Sequence, residues 1–547
     1  MTTDILLVHP PAFYDEHILL PRFPGPIAQT VSDSTPQFMV YPVGLVSIAE
    51  YLERHGYRVR IDNLGERLVS DPKFDLMAYI DGLEASVFGI DLHWCVHIPG
   101  AMALAEDIKK FHPDSFILLG GFTSTLFAKE ILKEYGSVDG VVCGEAEEST
   151  LALADALSNH RNLSSVPNLC YRDNDMVVVN PNAPPPSSLD DYDFTRVDLV
   201  SPSKAQVFSR SSIPVCRGCI YSCATCGGSS FSYRRLCGRN RPAFRSPQKI
   251  AEDLIKLKER GVRVAFMFQD PQMAGEEYCN QLVQAIRKPA EDMDAVAMEF
   301  FSLPSAEYLG KLTKLANRTT FTISPEASNQ EARINHGKVY SDDALLELSR
   351  RCDELGLKLT MFFMSGVAHD ASAVDKEALW TKALGPRGYT RIALGAMILL
   401  DPGSQAFDRP HDFGYVMRLK SLREHREALS LPSWHQWFNY TFKDTKSKPF
   451  EIILHDLESM VTFRHRNRLI STADFLFQKF QIGLYRYSAN EVDKIYTLRD
   501  ETERCDRLWS LAYACSPEQN WTTDDPYGYR HSVHLLMESI YRMEKAS

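Results

Sequence analysis

The sequence predicts an α/β protein in three parts. A doubly wound parallel α/β domain comes first, then about six β/α units that fit a partial (β/α)6 barrel of the TIM type, then a mostly helical C-terminal domain. Three observations predict this. Short apolar runs alternate with amphipathic segments from Asp4 to Cys143, the pattern of βαβ units. A stretch rich in Pro, Asn and Ser, residues 180–188 (NPNAPPPSS), continues neither helix nor central strand. Beyond about 205 the alternation resumes, and beyond about 410 the pattern becomes mostly helical. The 547 residues suffice for two to four domains. The divisions read as 1–186, 205–408 and 409–547.

In the first part, Asp4-Ile-Leu-Leu-Val8 reads as a buried strand, followed by His9-Pro10-Pro11. Residues 42–55 form an amphipathic helix with Pro and Gly near its start, closed by Gly56-Tyr57. Strands follow at 58–61, 86–90, 116–119 and 140–143, with helices at 99–111 and about 126–135 between the later ones. In such a sheet the ligand sits beyond the carboxyl ends of the strands. Those ends carry Pro11, Asp91-Leu-His93-Trp94, Gly120-Gly121-Phe-Thr123 and Gly144-Glu145.

In the second part a strand at 206–208 leads into four clustered cysteines. Helices at 247–260, 278–287, 305–316, 341–355 and about 374–384 alternate with strands at 264–268, 296–301, 319–323, 357–363 and 391–400. Active sites of such barrels lie at the C-terminal strand ends. Gln269-Asp270 ends one strand, Ser324-Pro325-Glu326 another with Arg333 shortly after, and Ser365-Gly366 a third. The third part carries Trp434, Trp437, Phe438, Tyr440 and Phe442 in one short stretch. This is either helix packing or the wall of an aromatic or hydrophobic substrate site.

Composition excludes several classes. The net charge of −11 leaves no overall basic footprint for nucleic acid. Eighteen consecutive apolar residues occur nowhere, so the expectation is no membrane span. The start Met1-Thr2-Thr3-Asp4 lacks the basic opening of a signal peptide, so the expected compartment is cytoplasmic, with reduced cysteines. Of twelve cysteines, eight are scattered and read as small buried hydrophobes: Cys95, Cys143, Cys170, Cys237, Cys279, Cys352, Cys505 and Cys515.

The other four lie in Cys216-Arg-Gly-Cys219-Ile-Tyr-Ser-Cys223-Ala-Thr-Cys226-Gly227-Gly228, a density that asks for a metal or redox explanation. A four-thiolate zinc site is one reading, although its two pairs stand closer than structural zinc sites usually place them. The other takes Cys219, Cys223 and Cys226 as three corners of a cubane iron–sulfur cluster, leaving one iron open to an amine and carboxylate. This Cys-x3-Cys-x2-Cys spacing after the first strand of a six-unit barrel resembles the radical S-adenosylmethionine superfamily. The resemblance implies a [4Fe-4S] cluster on those three thiolates, with Cys216 a bystander. It also implies S-adenosyl-L-methionine near Gly227, Gly228, Gln269, Glu326, Arg333 and Ser365.

An α/β domain before such a barrel resembles the cobalamin-binding domain of cobalamin-dependent radical enzymes. The resemblance covers about residues 4–150 and 205–400. It implies a cobalamin bound by Pro11, Asp91, His93, Trp94, Gly120, Gly121, Thr123, Gly144 and Glu145. One departure stands out. The Asp-x-His-x-x-Gly motif that supplies a histidine to cobalt is missing after the first strand, so a lower cobalt ligand from water, a non-ligating side chain or nothing is expected. The implied activity is methyl transfer from S-adenosylmethionine through methylcobalamin to a carbon of a small-molecule or peptide substrate. Trp434, Trp437 and Tyr440 are the substrate-wall candidates. An external electron donor of flavodoxin or ferredoxin type is the implied partner. Rearrangement, cyclisation or oxidation with the same cofactors is an alternative, as is a non-enzymatic cobalamin or redox sensor. A methylthiotransferase would need a second cysteine group, which Cys95, Cys143 and Cys170 are too far apart in sequence to form.

Overall fold

The computed structural model describes residues 3–12, 42–71, 74–174, 176–201, 210–431 and 434–470, with single positions at 475, 478, 482, 503 and 507. The strand expected at 206–208 and two of the cysteines, Cys505 and Cys515, lie outside the described residues.

The first sheet has eight strands: β1 (Thr3–His9), β2 (Val59–Asn63), β3 (Ala85–Asp91), β4 (Phe116–Gly120), β5 (Gly140–Val142), β6 (Leu169–Asp173), β7 (Met176–Val179) and β8 (Val200–Ser201). Their order is β7-β6-β5-β4-β3-β1-β2-β8. β1 to β5 and β8 run parallel, and β6 and β7 add antiparallel at one edge. β1 is central, and Ile5, Leu6, Leu7 and Val8 are all buried, as a strand covered on both faces requires. The chain leaves β1 first towards β2 and then returns to β3 on its other side. That reversal opens a crevice at the carboxyl ends of β1 and β3.

Sequence reading missed the β6–β7 hairpin, whose turn residue Asn174 takes a left-handed backbone with φ of 52°. The Pro-rich stretch at 180–188 also differs from a free linker. Just beyond it Leu189, Tyr192 and Phe194 pack with Ala243 in a small core of their own, and β8 rejoins the first sheet. Proline-rich composition reports the absence of helix and strand, not the absence of packing.

The second sheet has six parallel strands, β9 (Arg210–Pro214), β12 (Val264–Phe268), β13 (Ala295–Phe300), β14 (Thr319–Glu326), β15 (Lys358–Ser365) and β16 (Thr390–Ala396), arranged in chain order. Between the first two, β10 (Cys216–Arg217) and β11 (Ala243–Phe244) form a short antiparallel ribbon. Alternation divides each strand. Met267, Met298, Phe321, Met361 and Phe363 face the helix layer, and Phe266, Glu299, Thr322, Thr360 and Phe362 face a cavity. The helix Pro247–Glu259 starts as its sequence signals, with the Ser246 side chain accepting from the Lys249 N–H and proline in the first turn.

The third part is described only as far as Leu469 and Ile470, with single positions beyond. Its described residues hold two helices, Leu422–Leu429 and Pro449–Arg466, but also the antiparallel pair β17 (Tyr415–Met417) and β18 (Tyr440–Phe442). The aromatic stretch is therefore no helix. Trp434–Gln436 is one short 3₁₀ turn, and Tyr440 and Phe442 are strand residues.

Candidate active site

The carboxyl ends of the two sheets face one cavity of about 1600 Å³. On the first-sheet side it is lined by Asp91, His93, Trp94, Gly120, Gly121, Thr123, Gly144 and Glu145, and on the other by Cys219, Cys226, Gly227, Gly228 and Gln269. These residues come from three loops of one sheet and two of the other, and only folding brings them together.

The cysteine loop is built from the back. Gly337, with φ of 93°, has room only for hydrogen on that side, because a Cβ there would stand 3.1 Å from the Cys223 Cα. The Ala224 N–H donates to the His336 carbonyl at 3.0 Å. Two backbone N–H groups donate to thiol sulfurs at 3.3 Å, Tyr221 to Cys219 and Gly228 to Cys226. Burial pushes the Cys219 thiol up to about 12 and raises Cys223 and Cys226 as well, and the Lys338 ammonium opposes the rise at Cys223. Thiols this reluctant to ionise become ligands when a metal takes the proton's place. Among the described residues no three His, Cys, Asp or Glu side chains gather tightly enough for one metal ion. Cys216 is buried in the ribbon with its thiol against the Gly218 carbonyl at 3.7 Å.

Two acids and a lysine that sequence reading missed surround this loop, and a third acid joins a bridge beside it. Asp401 accepts from the Gly227 N–H at 2.8 Å, and burial raises its carboxyl to about 6. Glu299 lines the cavity from β13, accepts from the Gln269 N–H at 3.3 Å, and is pushed up to about 7 by burial. A lone acid inside an apolar strand run was the available signal for Glu299. Lys338 pairs with Glu326 at 3.2 Å. Glu147, the third acid, belongs to a bridge between the two domains. Arg217 of β10 reaches Glu145 at 2.9 Å and Glu147 at 2.6 Å, Arg239 reaches Glu145 at 2.6 Å, and Ser47 donates to Glu147 at 2.7 Å. Burial alone would raise Glu147, but Arg217 outweighs it and its carboxyl ends lowered. Glu145 thus lines the cavity with its carboxylate already engaged.

On the first-sheet side, Gly121 holds φ of 110°, and a Cβ there would stand 2.7 Å from the Cα and N of His93. The Thr123 hydroxyl donates to the His93 carbonyl at 2.9 Å. Asp91 meets His9 at 2.8 Å through Oδ1, and its other oxygen is buried without a hydrogen-bond partner among the described residues.

Several expected residues lie elsewhere. Ser365 neighbours cavity-lining Met364 and so points to the opposite face of β15, where it bonds Asp456. Arg333 is fully buried and its guanidinium is taken up by the carbonyls of Ala327, Ser328 and Tyr340 and by Asp342. Glu326 is buried beside Lys338 and does not line the cavity. Pro11 packs its carbonyl against Gly100, so closely that a Cβ there would clash at 1.7 Å. Trp434, Trp437 and Tyr440 do not line the cavity either. Tyr440 donates to the Met397 carbonyl at 2.6 Å and Trp437 to the Leu431 carbonyl at 2.9 Å, deep in the core. The C-terminal part reaches the cavity instead through Leu457, Met460, Val461 and Arg464 of the helix Pro449–Arg466.

Residues 31–154 match the family model of the B12 binding domain. Across 86% of its length or more, the chain superposes on solved structures of the radical S-adenosylmethionine methyltransferase TsrM from Kitasatospora setae with a TM-score of 0.60. The one with cobalamin and a [4Fe-4S] cluster bound is 14% identical and covers 100% of this chain and 99% of its own. This protein has the fold of the cobalamin-dependent radical S-adenosylmethionine enzymes. The residues matched by the B12 binding domain model include β2 to β5 of the first sheet. Sequence similarity reaches curated proteins too. Hopanoid C-3 methylase of Methylococcus capsulatus is 26% identical over 257 residues, 45% of this chain and 45% of that protein. Anaerobic magnesium-protoporphyrin IX monomethyl ester cyclase of Synechocystis is 24% identical over 246 residues, 44% of this chain and 47% of that protein. The matched region thus spans about half the length of these curated relatives.

Proposed function

We propose that the protein is a cobalamin-dependent radical S-adenosylmethionine methyltransferase acting on a carbon of a small-molecule or peptide substrate. One observation carries the reading: the three-cysteine loop and the carboxyl ends of the first sheet open onto the same cavity. The residues fit the implied groups. Cys219, Cys223 and Cys226 would hold the cluster, and Gly227 and Gly228 leave their backbone open beside it. On the opposite wall Gly120, where a Cβ would meet nothing within 4 Å, leaves open space for a corrin. The unpartnered Asp91 oxygen there suits an amide donor on its rim. When bound, the cluster supplies the electron that cleaves S-adenosylmethionine and cobalamin carries the methyl group.

The chain's own part is to position and to exclude water. Phe266, Phe268, Phe301 and Phe362 line the cavity with Met364, and Leu457, Met460 and Val461 close it from the C-terminal helix. Gln269 is fixed from two sides, since its side-chain oxygen accepts from the Cys216 N–H and its own N–H donates to Glu299. In this reading the second sheet is a partial (β/α)6 barrel, the divisions are 1–186, 205–408 and 409–547, and the compartment is cytoplasmic. A flavodoxin- or ferredoxin-type donor supplies the electron.

Anaerobic purification with cobalamin tests it. The expected result is a brown protein with cluster iron and sulfide, retained cobalamin, and both 5′-deoxyadenosine and S-adenosylhomocysteine on turnover, with a product heavier by one CH2 unit. S-adenosylhomocysteine alone marks a polar route. An unchanged product mass overturns methyl transfer in favour of rearrangement.

A further inference from the structure

We propose that His93 supplies the lower axial nitrogen to the cobalt of the bound cobalamin, an inference that rests on the reading above. The strands β1 and β3 flank the crevice of the first sheet, and each ends near a histidine. His9 closes β1, but it is fully buried and held against Asp91 at 2.8 Å. A residue so enclosed cannot reach a ligand in the cavity. His93 stands two residues beyond the end of β3 and lines the cavity.

Its ring is fixed by packing. It stacks on Phe122 with centroids 5.0 Å apart and meets Trp94 edge-on at 4.9 Å. Among the described residues no hydrogen bond reaches either ring nitrogen. Its backbone is fixed too, by Thr123 on the carbonyl and by the close approach of Gly121. A side chain oriented by neighbours that use none of its donor atoms is preorganised for a ligand. The missing motif after β1 therefore does not mean a missing histidine. The donor has moved to the other strand of the same crevice.

The test uses the full-length protein with cobalamin, reduced to the cobalt(II) state and examined by electron paramagnetic resonance. Protein carrying 15N-histidine is compared with unlabelled protein, both with natural-abundance cobalamin. The expected result is a triplet superhyperfine splitting in unlabelled protein that becomes a doublet on labelling. His93→Phe, which keeps an aromatic ring between Phe122 and Trp94, should retain cobalamin and lose that splitting. A triplet that ignores the label comes from the cofactor's own base and overturns the proposal. Absence of nitrogen splitting, or a doublet that survives in His93→Phe, also overturns it while leaving the functional reading intact. Protein that retains no cobalamin overturns both.

Discussion

The two walls of the cavity are built on opposite principles. The first-sheet wall presents glycine backbone, two aromatic rings and a histidine, with one carboxylate oxygen that has no hydrogen-bond partner among the described residues. The cysteine wall presents Cys219 and Cys226 with Asp401 and Glu299, and behind it Cys223 is buried near Lys338 and Glu326. The first wall suits a large flat ligand held by shape, the second small charged groups held by chemistry. Shape recognition tolerates many sequences, and charge recognition needs particular atoms. That is why a short motif marks one wall and none marks the other.

Four experiments sharpen or break this contrast. Cys223→Ala should abolish turnover, by at least about a thousandfold, and lower cluster iron while leaving cobalamin bound. Loss of both cofactors together would show that the walls are not independent. Arg217→Ala acts on the bridge between them. It leaves Glu145 and Glu147 with fewer partners in a buried site, and about 3–5 kcal/mol of stability should be lost, read as a fall in the thermal midpoint. Gly121→Ala forces a side chain into a left-handed backbone and against His93, at about 1–3 kcal/mol, and should weaken cobalamin retention while leaving iron content unchanged.

Glu299→Gln has a pH-dependent effect, confined to a narrow window. Burial raises the Glu299 carboxyl from 4.5 to about 7, so between those values the folded state holds a proton that the unfolded state has lost. Stability then falls as pH rises through that window, by on the order of 2–3 kcal/mol. The Gln variant should flatten this part of the thermal-midpoint profile between pH 5 and 7. A profile identical to that of the unsubstituted protein would show that Glu299 is ionised and paired.

Much of the fold was legible from periodicity. The helix expected over 247–260 is found at Pro247–Glu259, and the strand Val264–Phe268 is found as expected, because long amphipathic and apolar runs have few other ways to bury themselves. The β6–β7 hairpin was not, since Met176–Val179 is an exposed edge strand with little alternation to read. The site divides the same way. Cys219, Cys226 and the glycines at the strand ends do line one cavity, since loop and strand-end positions are where a sheet opens. Ser365 and Arg333 were misplaced because proximity to a strand end does not say which face a side chain takes. Ser365 missed the cavity by one position of β alternation. The aromatics of 434–442 were read as helix core or substrate wall and proved to be core of another kind, a turn and a strand.

By itself the sequence determined the local chemistry: which segments are strands or helices, where three thiols can share a cluster, and which ends are open enough for a cofactor. These follow from spacing along one chain. Only the tertiary structure decided that Arg217 meets Glu147, that Asp401 meets Gly227, and that Leu457 and Met460 rather than Trp437 reach the cavity. Arg217 and Glu147 lie 70 positions apart, and Gly227 and Asp401 lie 174 apart. Contacts at that separation arise from the packing of whole sheets and helices, which no local pattern encodes.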